Sequence, residues 1–354
     1  MNIFFTILLT LLAGSSWVLA DGDLERVHRE THPAPVNGVA VHVARGFIEV
    51  VNGETDDVEI VVVRRIQRSM LDRPGVFERI SRDLLPGGFD ANRTFARVEP
   101  RIRTKGDTLR LDVADSRLAV LDWDATLQMS IEVKITLPRG VPLVVRGVSA
   151  GVKLPGDHVG ALDVESDGGS FTATKVDGDV RVRLRSGSIT INEVRGRSEL
   201  HSDTGLVLAG HLRGPAELST LNGSVEVLQA YDELKVRGSD ALVLIGVSAP
   251  APKAMDLRIA SGELRLNVDR DLGLSLDANA SWLGRVKLRG LEPEIRKGGI
   301  ERSTLRADLA GGGPVARLRT GGANIVFVGR APAMPVAAGG EPNNGSQAAD
   351  NLEG

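Results

Sequence analysis

The residues best suited to chemistry in this chain fall into four groups. His28 and His32 stand four apart in HRETHP, with Glu30 between them. Imidazoles four apart can share a metal ion, and a glutamate directly after the first would serve as a metalloprotease base. Here the glutamate comes one position too late, so the stretch reads as part of a flexible lead-in over residues 21–35. Asp115, Asp122 and Asp124 gather carboxylates of the kind that hold Ca²⁺. They lack the spacing of a Ca²⁺ loop, and an acidic turn is the better reading. His201 and His211 lie in one stretch, with no serine, cysteine or aspartate partner legible beside them. Asp163, Glu165, Arg181 and Arg183 mix the carboxylates and guanidiniums that a polysaccharide lyase or hydrolase needs near a scissile bond.

Other chemistries lack their residues. The Ser-Gly-Ser at 186–188 is a turn, and neither a Gly-x-Ser-x-Gly elbow nor a Gly-Lys-Ser phosphate loop occurs. There is no cysteine, which excludes a disulfide scaffold, a thiolate metal site and a cysteine nucleophile. The expectation is a chain with no catalytic, cofactor-binding or metal-ligating residue, and so not an enzyme.

The elements that carry these groups repeat. Gly160, Gly178, Gly196 and Gly214 are spaced by 18 residues, and Gly169, Gly187, Gly205 and Gly223 form a second column offset by nine. After each glycine, and after Asp232 at the next step, apolar residues alternate with polar ones: Val180 and Val182, then Ile189 and Ile191, then Leu234 and Val236. Alternation with β-branched residues is the signature of short half-buried strands, and the glycines mark bends between them. Slipped copies extend the pattern to Leu143–Leu154, Met255–Leu266, Ala316–Phe327 and GFIEVV at 46–51.

Two architectures fit: an antiparallel meander, or a parallel β-solenoid in which each strand lies on its copy 18 residues later. Charges separate them. Asp163, Arg181 and Glu199 are spaced by 18, as are Glu165, Arg183 and His201, and Asp167, Arg185 and Asp203. Signs alternate along these spacings, with His201 a weak member and Glu217 following Glu199 as an exception, which favours copies stacked about 4.8 Å apart over a meander. The fold expected is therefore all-β, a parallel solenoid with 18-residue coils and apolar columns inside.

These residues resemble the bacterial putative-adhesin domain family of unknown function. The likeness lies in GFIEVVNGETDDVEIVVVRR, IEVKITLPRGVPLVVRGVSAGVKL, the SGSITINEVRG coils and VARLRTGGANIVFVG, in that order, over most of residues 36–330. The resemblance implies a right-handed, single-stranded parallel β-helix and an adhesin-like role. It brings no catalytic residues. Long segments at 64–107 and 289–313 depart from the family pattern.

The remaining segments complete the organisation. Residues 64–105 hold 11 Lys or Arg against 5 Asp or Glu, and VFERISRDLL has apolar residues at helical spacing. This short helical excursion reads as a cap over one end of the solenoid, with a basic patch for anionic polymer as the alternative. Ile3 to Ala20 is uncharged and almost wholly apolar, with Val18 and Ala20 before Asp21. It reads as a signal peptide over residues 1–20, with an uncleaved anchor as the alternative. Residues 331–354 are rich in Ala, Pro, Gly and Asn and read as a disordered tail. The net charge of −3 gives no reason to expect nucleic acid, and aromatics are only 3%, too few for a stacking surface. The function expected is a non-enzymatic, exported binding or structural protein, periplasmic or at the cell surface. Its partner would be a protein or polysaccharide of the cell envelope, with no transmembrane helix after signal cleavage. A polysaccharide lyase or hydrolase, or an envelope sensory module, is the alternative.

Overall fold

A computed structural model describes residues 16–20, 23–66, 95–96, 98–113, 129–291 and 301–330. Its strands are β1 (Ser16–Ala20), β2 (Asp23–Pro33), β3 (Val39–Asn52), β4 (Asp57–Ile66), β5 (Arg101–Lys105), β6 (Thr108–Val113) and β7 (Met129–Leu137). There follow β8 (Leu143–Val159), β9 (Leu162–Gly168), β10 (Ser170–Asp177), β11 (Val180–Ser186), β12 (Ser188–Val194), β13 (Ser198–Leu212), β14 (Ala216–Ala230) and β15 (Glu233–Val247). The last are β16 (Ala254–Asp269), β17 (Leu274–Asn279), β18 (Val286–Arg289), β19 (Thr304–Leu309), β20 (Val315–Thr320) and β21 (Asn324–Arg330). The protein is all-β; among the described residues only Phe95 and Ala96 are helical.

Pairing through the middle of the chain is parallel and in register at 18 residues. Ile189 lies on Phe171 and under Val207, and Val182 lies between Val164 and Leu200. The antiparallel meander is thereby excluded for this region. The register slips between Ala173 and Lys175, where the Pro155-Gly156 turn inserts its extra residue.

Burial follows the alternation. Val145, Val164, Val182, Leu200, Leu218 and Val236 form one buried column, and Val152, Phe171, Ile189, Val207, Val225 and Val243 face them in another. Each such aliphatic side chain contributes about 1.5–3 kcal/mol by leaving water. Phe171 fits because the next inward residue on its strand is Ala173, where the neighbouring strands carry Leu154 and Ile191. Ser198 also faces inward as its place in the repeat predicts, and its hydroxyl is buried without a partner among the described residues.

The two ends break the sequence order. At the N-terminal end β3 pairs with β8 across about a hundred residues (Val39 with Leu143), while β6 and β7 lie on its other side. At the C-terminal end β20 and β21 pair with β16 (Met255 with Ala316, Leu266 with Phe327), and β17 and β18 lie beyond them. The copies Val39–Asn52 and Ala316–Phe327 are thus sandwiched layers. Beyond them the pairing turns antiparallel, in β5–β6, in β2–β4–β7 and in β17–β19.

This arrangement corrects three expectations. Residues 21–35 are not a flexible lead-in: Asp23–Pro33 is a strand paired to β4 from Leu24–Ile66 to Pro33–Asp57. Its polar content hid it, because an end layer is half solvated and need not look apolar. The excursion at 64–107 is narrower than expected, since Arg64–Ile66 belong to β4 and Arg101–Lys105 to the β5–β6 hairpin. The excursion at 289–313 contains β19, which covers β17. The helix expected at VFERISRDLL, the carboxylates Asp115, Asp122 and Asp124, the segment 1–15 and the tail 331–354 lie outside the described residues.

The described part of the basic segment packs against β4 and β2 through Phe95. Arg64 is 4% exposed, donates from Nη1 to the Phe95 carbonyl at 3.0 Å, and lies with Arg26 over the buried Phe95 ring at 5.8 and 5.2 Å. Burial and the neighbouring Arg26 charge push the Arg64 pKa below its ordinary value.

Candidate functional site

The polar residues between the buried Val145–Val236 column form an outward face, and the register assembles them into rows. The first row begins at Arg110, passes through Ala40 and Val144, and continues as Asp163, Arg181, Glu199 and Glu217. It goes on through Lys235 and Asp256 to Arg317, Asp277 and Arg306. From Asp163 onward the signs alternate at every step except Glu199–Glu217. The last steps join residues far apart in sequence and in inverted order, so the alternation belongs to the stacked surface.

The second row supplies cations that reach carboxylates of the first, diagonally across strands or, for Arg258, along its own strand. Arg146 reaches Asp163 at 2.6 Å, Arg183 reaches Glu199 at 2.5 Å, Arg258 reaches Asp256 at 2.9 Å and Arg319 reaches Asp277 at 2.5 Å. The Arg183 hydrogen bond, with Arg181 and Arg197 adding to it, holds the Glu199 carboxyl below the usual carboxylate range. Arg319 does the same to Asp277, and the hydrogen bond that Arg146 donates to Asp163 raises the Arg146 pKa. Arg185 meets Asp167 of the preceding layer at 3.4 Å, as the 18-residue spacing predicts. Arg183 departs from that spacing: it bonds Glu199 ahead of it, and Glu165 is taken by Arg146 at 3.4 Å. Most of these side chains are a third or more exposed, and Asp256 and Asp277 nearly so, so each pair fixes register more than it stabilises. A double-mutant cycle on Arg183 and Glu199 by denaturant unfolding is expected to give a coupling of about 0.2–1 kcal/mol that shrinks in high salt.

The row has one gap. Ala40 and Val144 put short, uncharged side chains where the other layers carry ions. A depression of ≈ 280 Å³ opens there, lined by Ala40, Val41, His42, Arg110, Val144 and Arg146. It adjoins a second of ≈ 250 Å³ at the corner of the layers, lined among others by Val144, Asp163, Asp179, Arg181 and Arg197. Val144 floors both. The walls of the first are basic, with Asp112 at 3.6 Å from His42 and 3.1 Å from Arg110.

The other candidates are placed as follows. His28 and His32 share the Glu30 carboxylate at 2.7 and 2.9 Å on one face of β2, and among the described residues no cluster has the geometry to hold a metal ion. His211 meets the Tyr231 hydroxyl at 3.3 Å, with the Arg213 guanidinium 4.7 Å from that ring. Gly187 of the Ser-Gly-Ser forms a corner with φ of 124°. His201 has partners the sequence did not reveal. Its Nδ1 lies 2.7 Å from Ser219 Oγ, one layer on, and its Nε2 lies 2.7 Å from Asp203 Oδ1. The order serine–histidine–carboxylate is that of acyl transfer, which also needs hydrogen-bond donors aimed at a developing oxyanion. Here Ser219 sits mid-strand between parallel neighbours from Glu199–Glu217 to Thr220–Gly238, where backbone N–H groups are engaged in the ladder. Neither depression on this face is lined by any of the three residues.

Among the described residues no helix is long and apolar enough to cross a membrane. No family model matches the chain, and no curated protein matches it. Several solved structures are similar to it, among them the following two. One is a "putative cell adhesion protein" from Clostridium sporogenes, 10% identical, covering 85% of this chain and 99% of that one, with a TM-score of 0.23. The other is a "putative adhesin" from Bacteroides fragilis, 10% identical, covering 85% of this chain and 96% of that one, with a TM-score of 0.32. Neither likeness gives a role to any residue.

Proposed function

We propose that this chain is an exported, non-enzymatic β-solenoid, wound right-handed, whose charged face binds a component of the cell envelope or cell surface in an adhesin-like role. The apolar segment Ile3–Ala20 supports export. The observation that carries the binding role is the gap at Ala40 and Val144. Elsewhere in this row each layer carries a charged side chain that fills the surface, whereas at the gap Ala40 and Val144 leave room for a partner beside cations already held by Asp112 and Asp163. At the gap, Arg110, His42 and Arg146 surround uncharged ground, and an anionic group of a surface polymer or protein fits between them.

The test is binding of the purified chain to isolated envelope fractions and to anionic surface polysaccharides. Binding is expected to weaken with salt and to fall at least about tenfold in Val144→Trp, which fills the depression from the solvent side and leaves the core intact. Equal binding by Val144→Trp, or no binding to any envelope fraction, would sink the proposal.

The Ser219–His201–Asp203 contact favours a second reading, a hydrolase. Covalent labelling by a fluorophosphonate, abolished in Ser219→Ala, would establish it. Polysaccharide cleavage lost in Arg183→Ala would establish the lyase or hydrolase alternative.

A further inference from the structure

We propose that the corner between β17 and β18 docks on an anionic lipid bilayer. Trp282 and Leu283 enter the headgroup boundary there, and Arg285, Lys287 and Arg289 meet lipid phosphates. This site is at the far end of the molecule from the depression over Val144 and does not depend on what that depression binds.

In a chain with only 3 tryptophans, Trp282 is 84% exposed and Leu283 beside it is 61% exposed. The turn that carries them is held in place. Gly284 N donates to the Ala280 carbonyl at 3.2 Å, Ser281 N to Asn279 Oδ1 at 2.8 Å and Arg285 N to Asn324 Oδ1 at 3.1 Å. A Cβ on Gly284 would lie 2.2 Å from the Ala323 carbonyl oxygen, so the turn sits tight against the layer below. The indole is thus displayed by fixed backbone.

Immediately after the turn, β18 alternates. Val286 and Leu288 pack on the core, and Arg285, Lys287 and Arg289 are exposed on the opposite side. Over a strand rise of about 3.3 Å per residue the three cations span roughly 13 Å. None of the three is in an ion pair among the described residues. Their neighbours on β21 are Val326 and Val328, in contrast to the carboxylates that meet nearly every cation of the charged face. Arg302 is also exposed, and its carbonyl accepts from Val286 N at 3.1 Å.

Cations alone have a simpler explanation. Among the described residues β18 pairs as a strand with β21 alone, and charges on such an edge prevent pairing with other chains. An exposed Trp-Leu pair beside that edge works against such protection, so it needs its own account. An aromatic ring with a polar edge, next to several cations, matches the boundary of a bilayer with anionic headgroups.

The experiment uses the full chain with Trp17→Phe and Trp123→Phe, which leaves Trp282 as the one indole whether or not other segments touch lipid. With phosphatidylglycerol-rich vesicles its emission is expected to shift to the blue and to be quenched by brominated acyl chains. With phosphatidylcholine vesicles it stays unchanged. Reversing the three cations together (Arg285→Glu, Lys287→Glu, Arg289→Glu) is expected to lower the anionic-vesicle response on the order of a hundredfold. If the two Phe substitutions disturb folding, flotation of the otherwise unaltered chain against Trp282→Ala gives the same answer through a fall in the vesicle-bound fraction. Unchanged Trp282 emission on anionic vesicles, an equal response to neutral ones, or no effect of the charge reversal overturns the proposal. So does burial of Trp282 by a protein partner and not by lipid.

Discussion

Gly187→Ala is expected to destabilise the protein by about 3–5 kcal/mol, a larger effect than any single ion pair on the charged face can have. Two independent costs combine. The residue has φ of 124°, a backbone region that is nearly closed to side chains and costs about 1–3 kcal/mol to hold. A Cβ there would also lie 1.8 Å from the carbonyl oxygen of Gly169 in the layer before. No rotamer relieves that contact, because both atoms belong to backbone. The layers must part, and hydrogen bonds such as Gly187 N to the Thr204 carbonyl at 3.0 Å are lost with their neighbours, each worth about 0.5–1.5 kcal/mol. Gly156→Ala is the control. It changes the same residue type on the same kind of surface, but nothing lies within 4 Å of its Cβ, and a change within about 1 kcal/mol is expected. Denaturant midpoints of the two variants decide the matter. If they are alike, stacked corners are not what the glycine column is for.

That column was legible in the sequence because sterics at a stacked corner leave few options, and the core was legible because period two is forced by the pleat. The exceptions were on the page as well. At the corner positions Ala150 and Ala241 the column has alanine, and three residues earlier Gly147 and Gly238 stand where other layers carry Ser166, Leu184, Ser202 or Thr220. A Cβ on Gly147 or Gly238 would fall 2.8 or 2.6 Å from the Cβ of that alanine, so the two substitutions go together. Within a repeat, such paired swaps are a contact signal.

What the repeat could not reveal lies where its local rules stop. β2, which lies between β1 and β4 near one end of the sheet, is polar on both faces, so its periodicity carries no hydrophobic signal. The insertion of β20 and β21 between β16 and β17 is a matter of which layer reaches the core first, and only the charge row records it. Asp256, Arg317, Asp277 and Arg306 alternate in spatial order and not in chain order. Ser219 and His201 were 18 residues apart in plain view, but a serine among outward residues has no signature until its neighbour is known. The gap at Ala40 and Val144 was hidden for a similar reason, since it joins residues 104 apart in the chain.

The second large effect concerns acid. His158 is 2% exposed, and it heads a column continued by Val176, Val194, Leu212 and Ala230. Its Nε2 is buried without a partner among the described residues. Removal from water disfavours the imidazolium and pushes its pKa from 6.5 down to about 4. Above pH 6.5 the ring is neutral both folded and unfolded, and it has no influence on the pH dependence. As the pH falls through 6.5 the unfolded chain takes up a proton that the folded chain refuses, so stability drops. The loss is complete near pH 4, and at 1.36 kcal/mol per unit it amounts to roughly 3 kcal/mol. The paired carboxylates Glu199, Glu193 and Asp277 also lose stability in acid, because their folded pKa values are lowered. Their loss sets in only as the pH falls through the ordinary carboxylate range, and it is common to any variant that keeps them. His158→Leu is therefore expected to be as stable as the parent or more so at neutral pH and to hold that stability down to about pH 5, while the parent weakens. Unfolding midpoints for both chains across pH 7.5 to 4.5 test this. Parallel curves would mean that the ring is protonated in the folded state, through a partner or water that satisfies Nε2, and that its burial does not carry the acid sensitivity.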